Sequence, residues 1–298
     1  MRQRALSPAF VVGVSVLCLL SVGCAPNDDN NDSGGATTSP ETSSGASTTD
    51  ACADPQTFKP GVLTIATDDP AFEPWMVDND PTNKKGFESA VAYAVAEKMG
   101  FSDDQVEWTR VPFNSSYQPG PKKFDFDINQ ISISAQRAKA VTFSDGYYTA
   151  DQAIITMKDS PYADATSLAD FKDATLGAQV GTTSLSAITD TIQTTAQPQV
   201  FDDTNLAKNA LQNGQVDAIV ADLPTAFYIT AAQIPGSTIV GQFQSTVGQP
   251  EEFGLLFEKG NPLVECADQA LSTLKDKGTL AKFQQRWLSQ SADVPTLS

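Results

Sequence analysis

The sequence predicts an α/β protein, and three observations carry that reading. Runs with strand character alternate with runs of helical apolar periodicity along most of the chain. Capping and stop residues punctuate the helical runs at the expected offsets. The 298 residues, 40% hydrophobic and 8% aromatic, suffice for one or two packed domains and exclude wholesale disorder.

Taken in order, residues 62–67 read as a strand, followed by a turn-rich segment and a helix over 87–99. In that helix Phe87, Ala90, Val91, Ala94 and Val95 share a face, and Gly100 stops it. Further strands are expected at 106–113, 124–132, 153–157, 174–180, 216–221 and 253–257, and a helix at 185–192. Another helix spans 205–212, with Thr204 as its cap and Gly214 as its stop. Asn261-Pro262 starts a helix whose apolar face is Leu263, Ala267, Ala270, Leu271 and Leu274. A last helix carries Leu280, Phe283 and Trp287, and no internal repeat is visible.

The amino terminus reads differently. Arg2 and Arg4 precede an apolar run from Phe10 to Leu20, and small residues, Ser21-Val22-Gly23, stand directly before Cys24. Residues 1–23 are thus a secretory signal too short to span a bilayer. The junction looks like a bacterial lipoprotein processing site, with Cys24 the residue lipidated; ordinary cleavage with an incidental thiol is the other reading. Residues 24–58 are expected to form a disordered tether, since from 25 to 50 the composition is almost entirely Asn, Asp, Ser, Thr, Gly, Ala and Pro. A flexible linker of this kind reaches ~25 to 30 Å.

With Cys18 removed with the signal and Cys24 lipidated, Cys52 and Cys266 remain, either as a disulfide permitted outside the cytoplasm or as two unrelated thiols. The net charge of −17 disfavours a nucleic-acid partner and weakly favours cationic ligands. The chain has no histidine, which removes Ser-His-Asp and Cys-His schemes and the usual zinc sets. Glycine-rich phosphate loops are missing too, so neither a cofactor nor a metal is expected.

Six segments, in order, resemble the polar amino acid family of bacterial extracellular solute-binding proteins, family 3. They are Thr67-Asp68-Asp69-Pro70-Ala71-Phe72-Glu73-Pro74-Trp75; Gly86-Phe87-Glu88; Ser132-Ile133-Ser134-Ala135-Gln136-Arg137 with Phe143-Ser144-Asp145-Gly146-Tyr147-Tyr148-Thr149; Gln179-Val180-Gly181-Thr182-Thr183-Ser184; Val216-Asp217-Ala218-Ile219-Val220-Ala221-Asp222; and Lys277-Gly278-Thr279-Leu280. The resemblance implies a two-lobed periplasmic-binding-protein-like (type II) clamshell with two hinge-crossing strands. Lobe one would comprise 59–150 and 245–298, and lobe two 151–244. It further implies an extracytoplasmic receptor, monomeric and held to the outer face of the cell membrane by its lipid, that passes a small polar solute to the permease of an ABC importer.

The resemblance assigns roles by position. Arg137 would clamp an α-carboxylate with two parallel hydrogen bonds; the alternative is a surface arginine beside Lys139. Asp222, after an apolar strand, would receive the ammonium, or else cap a helix ahead of Pro224. Thr182 and Thr183 begin a helix whose free N–H groups and hydroxyls could hold a carboxylate, or serve only as caps. Asp69 would face the ligand's side chain and favour an amide or a cation, with Asp68 as the neighbouring register. Phe72 and Phe113 would wall the cleft or pack in the core, and Ser132 would add a hydroxyl. Asn129 and Gln130 replace the small Ala-Gly pair usual before that serine, so they read extra polar groups or reshape the cleft.

Independently of the resemblance, Asp69, Thr182, Thr183 and Asp222 follow strands at their carboxyl ends, where open α/β sheets bind ligands. A binding module without catalysis is the primary expectation. An enzyme on the same scaffold, such as a dehydratase using a cleft carboxylate, and a sensor docking on a membrane receptor are the rivals.

Overall fold

The computed structural model describes residues 50–245, 250–288 and 294–298; the signal segment, Cys24 and most of the expected tether lie outside them. In chain order the strands are β1 (Leu63–Thr67), β2 (Val106–Arg110), β3 (Phe126–Asp127), β4 (Val141–Ala150), β5 (Gln152–Met157), β6 (Leu176–Gln179), β7 (Gln199–Phe201), β8 (Ala218–Asp222), β9 (Ser237–Phe243) and β10 (Glu251–Glu258). The helices are α1 (Asp50–Ala53), α2 (Phe87–Lys98), α3 (Phe113–Ser116), α4 (Thr183–Ala187), α5 (Thr204–Gln212), α6 (Leu223–Tyr228), α7 (Leu263–Asp276) and α8 (Thr279–Trp287).

The strands form two mixed sheets, ordered β2-β1-β3-β10-β4 and β7-β6-β8-β5-β9. In the first, β1 runs parallel to β2 and β3, and β10 is antiparallel to β3 and β4. In the second, β6 is parallel to β7 and β8, and β5 is antiparallel to β8 and β9. The chain crosses between sheets through the single residue Asp151, and again between Phe243 and Glu251. This is the two-lobed α/β clamshell expected, with parallel strands covered by helices.

Aromatic burial holds the first lobe together. Trp75, Phe87, Phe126, Phe253 and Phe257 are fully buried, and the Trp75 ring meets Phe87, Tyr148 and Phe253 edge-on at centroid distances of 5.4 to 5.9 Å. Helix α7 buries the predicted face Leu263, Ala267, Ala270, Leu271 and Leu274 against it. The second lobe packs Ile154, Phe171, Leu176 and Val220 on one side of its sheet, and Ile155, Leu211, Ile219 and Ile229 on the other.

Several expectations shift for local reasons. Strand β2 ends at Arg110, because Pro112 removes a donor and α3 begins at Phe113. The strand expected over 124–132 shrinks to Phe126–Asp127, since Gln130 turns into the left-handed region at φ 46°. The cap of α5 is Asp203, not Thr204; its carboxylate accepts from Leu206 N at 2.9 Å. The helix expected over 185–192 is α4 followed by a wider π turn, Ile188–Ile192.

Both ends of the folded part depart from the expected boundaries. The segment after residue 50 is not free tether: α1 docks on α7 through the Cys52–Cys266 disulfide, across 214 residues of sequence. Phe58 N also donates to Asp125 Oδ1 at 2.6 Å. Residues 294–298, expected with lobe one, join the second sheet. There Gln242 N donates to Pro295 O and Leu297 N to Gln242 O, both at 2.8 Å, and Leu297 enters that lobe's core. The exposed edge of β9 supplies the unpaired backbone groups that attract it.

Candidate functional site

The cleft opens where β1, β3, β6 and β8 end, at their carboxyl termini. The first lobe contributes Asp68, Phe72, Phe113, Asn129 and Gln130 to its wall. The second contributes Gln179, Thr182, Thr183 and Ser184 after β6, Val220 to Asp222 at the end of β8, Thr204 and Thr225.

The lobes touch across it. Trp75 Nε1 donates to Thr225 Oγ1 at 2.8 Å, and the hydroxyls of Ser132 and Thr183 lie 3.2 Å apart. Arg137 donates through Nη1 to Ser132 O at 2.8 Å and through Nη2 to Gly181 O at 2.9 Å. Its guanidinium carbon sits 4.9 Å from the Tyr117 ring centroid and 5.4 Å from that of Phe113. The Trp75–Thr225, Ser132–Thr183 and Arg137–Gly181 contacts join residues of opposite lobes, so this is a closed arrangement.

Asp222 occupies the residue before α6, with Pro224 in the first turn, yet its side chain makes no capping bond. Instead it accepts from Gln152 Nε2 at 2.8 Å. Burial, then the charge of Glu251, holds its carboxyl well above the usual carboxylate range; Gln152 and the field of Arg137 only partly offset this. A cation delivered into the cleft would restore the charged form. The capping role weighed for this residue is therefore set aside by geometry.

Thr182 does cap α4, accepting from Leu185 N at 3.1 Å while donating to Gln179 O at 2.8 Å. Thr183 and Ser132 both direct their hydroxyls at Glu251 Oε1. Glu251 also accepts from Gln152 Nε2 at 3.2 Å and Ser245 Oγ at 2.9 Å. It thereby gathers donors from both lobes and both crossings, a hub that sequence reasoning missed because Glu251 reads as one of a pair of surface acids.

Of the residues expected at the site, Phe72, Phe113, Asn129, Gln130, Thr182, Thr183 and Asp222 line the cleft. Ser132 and Arg137 stand at the seam between lobes and not in the cleft wall, Ser132 against the Thr183 hydroxyl and Arg137 against the Gly181 carbonyl. Asp69 is displaced by one register: Asp68 lines the cleft, and Asp69 lies in an adjoining pocket with Asp202 and Asp203, accepting from Asn79 Nδ2 at 3.0 Å. Burial raises the Asp68 carboxyl, with Asp69 and Asp203 adding repulsion. Phe72 is overlaid by the opposite lobe's Lys208, whose Nζ is 5.5 Å from the ring centroid.

Residues 63–290 match the profile of the bacterial extracellular solute-binding proteins, family 3. This chain belongs to that family.

Among curated relatives, this family 3 protein is 28% identical over 238 residues to the L-cystine-binding protein TcyA of Bacillus subtilis, covering 78% of this chain and 83% of the relative. It is 27% identical over 231 residues to the arginine-binding periplasmic protein of Mannheimia haemolytica, covering 74% and 89%. Among solved structures, an ancestral arginine-binding protein bound to arginine is 32% identical, with a TM-score of 0.62 over 76% of this chain and 98% of that one. The fold shared with such proteins is the two-lobed clamshell described above.

Proposed function

We propose that this family 3 protein is the receptor of an ABC importer for an amino acid whose side chain carries a cation or an amide. The observation that carries the reading is Asp222: a carboxylate at the cleft wall, free of any capping duty, half-buried, and, among the described residues, in no salt bridge, with only the field of Arg137 to favour its charge. It suits an α-ammonium. Arg137 at the facing seam has further N–H groups beyond its two carbonyl contacts, enough to grip an α-carboxylate. Phe72 and Phe113 flank the aliphatic part of such a ligand, and Asp68, with Asp69, Asp202 and Asp203 beyond it, suits a donor-bearing end. Arginine and cystine are named for the relatives, and a solved structure 31% identical to this chain is of an ancestral arginine-binding protein bound to glutamine.

Lipidation at Cys24 would hold this receptor at the outer face of the membrane, as a monomer on its tether, beside the permease. The reading is tested by thermal shift against the proteinogenic amino acids, simple amines and small carboxylates. A ligand at 100 times its Kd adds ~2.7 kcal/mol of stability. L-arginine, L-lysine, L-histidine or L-glutamine should shift the transition and be recovered unchanged after incubation; no shift with any amino acid, or conversion of a carboxylate, overturns it.

A further inference from the structure

Glu88 is the second residue of α2, behind the cleft, and has no exposed surface. A helical wheel places it off the apolar face, yet it is enclosed as fully as the neighbouring Asp127. Its Oε1 accepts from Gln130 N at 2.7 Å and from the Tyr147 hydroxyl, and its Oε2 accepts from Gln130 Nε2. Gln130 is thus held at both its backbone and its side chain, in a left-handed conformation (φ 46°) that an L residue adopts only when its surroundings impose it. Gln130 is also a wall residue of the cleft, and among the described residues its Oε1 meets no donor.

A carboxylate only accepts hydrogen bonds, while a primary amide has a donating end and an accepting end. An ionised Glu88 therefore fixes which way the Gln130 amide points. The NH₂ must face Glu88, leaving the carbonyl oxygen as the group offered to the cleft.

We infer that Glu88 is a positioning residue for specificity: by orienting Gln130, it makes the cleft present an acceptor and so select amino acids with hydrogen-bond donors on their side chains. This rests on the amino acid reading above and names how its side-chain subsite is set. A protonated Glu88 acquires a donor, tolerates the flipped amide and relaxes the selection. Its titratable neighbours are Tyr147 on β4, Asp127 on β3 and Asp222 ahead of α6, all of them acids. Burial raises Glu88 to about 7 despite its three donors, so the switch falls within reach of ordinary buffers.

The test compares L-glutamine with L-methionine, near in size but without side-chain donors, by calorimetry on the mature chain between pH 5.5 and 8.5. In the wild type, the preference for L-glutamine should be ~10-fold or more at pH 8.5 and shrink toward acid. Glu88→Gln should flatten that profile at a low preference while L-methionine binding changes less than about 2-fold; Tyr147→Phe, which removes one stabilising donor from the carboxylate, should move the midpoint to higher pH. A wild-type-like preference and profile in a folded Glu88→Gln, or an unmoved midpoint in Tyr147→Phe, overturns the inference and leaves the receptor reading standing. Failure of the wild type to bind any amino acid overturns the receptor reading itself.

Discussion

Arg137 of the first lobe donates to the carbonyl oxygen of Gly181 in the second, at 2.9 Å. That bond exists only with the lobes together, and it brings Gly181 to rest beside Asn114 and Tyr117. A Cβ on Gly181 would lie 2.3 Å from Asn114 Oδ1 and from the Tyr117 hydroxyl, and φ is +73°.

Gly181→Ala should therefore hinder closure, which must push the ends of the Asn114 and Tyr117 side chains aside, while the strain of an L residue at φ +73° burdens open and closed forms alike. We expect ligand affinity to fall ~10-fold or more with circular dichroism unchanged, because closure is what binding must stabilise. Small-angle scattering with saturating ligand should give a larger radius than the wild type; an equal radius and affinity would contradict the closed geometry.

Asp222 sets a pH dependence of defined sign. In the ligand-free protein burial and the charge of Glu251 raise its carboxyl, so its neutral form persists to higher pH than in an exposed aspartate. That group's contribution to stability is fully present below its unfolded value and is lost as pH rises through the raised folded value. An incoming ammonium favours the charged form, so binding below the raised value releases a proton and affinity climbs with pH. Calorimetry in buffers of different ionisation enthalpy should detect the proton. Asp222→Asn should abolish its release, raise the Tm of the ligand-free protein at neutral pH, and weaken binding ~30-fold or more.

The Cys52–Cys266 bond closes a loop across 214 residues, and neither cysteine lines the cleft. Cys52→Ser with Cys266→Ser should cost ~3 to 5 kcal/mol on the loop-entropy account, lowering Tm on the order of 10 °C. Calorimetric affinity at 20 °C should change less than about 2-fold. A large affinity change with little loss of Tm would reverse this assignment.

Much of this architecture is legible in the residues, for identifiable reasons. Strands β1, β5, β6 and β8 are short buried runs, and α5, α7 and α8 have one apolar face with their caps or stops, so local pattern and burial agree. Strand β4 is missed because its buried positions, Val141, Ser144, Tyr147 and Ala150, come every third residue and not every second, among polar residues and a glycine. β7 is a three-residue edge whose first two residues are exposed, which leaves it little apolar signal. At the site, Asp222, Thr182, Phe72 and Phe113 stand where motif and strand ends place them. Glu251, Glu88 and the shift from Asp69 to Asp68 were hidden, because what they do depends on partners more than 40 residues away or on a one-residue register.

The central claim, that opposite charges from two lobes hold a zwitterion, is reached most directly by titrating L-arginine and agmatine, its decarboxylated counterpart, into the wild type and Arg137→Ala. Truncating one partner of a buried charge pair costs ~2 to 5 kcal/mol. The wild type should then prefer L-arginine by ~30-fold or more, and Arg137→Ala should bind the two alike. Equal affinity of the wild type for both, or an undiminished preference in Arg137→Ala, would contradict it.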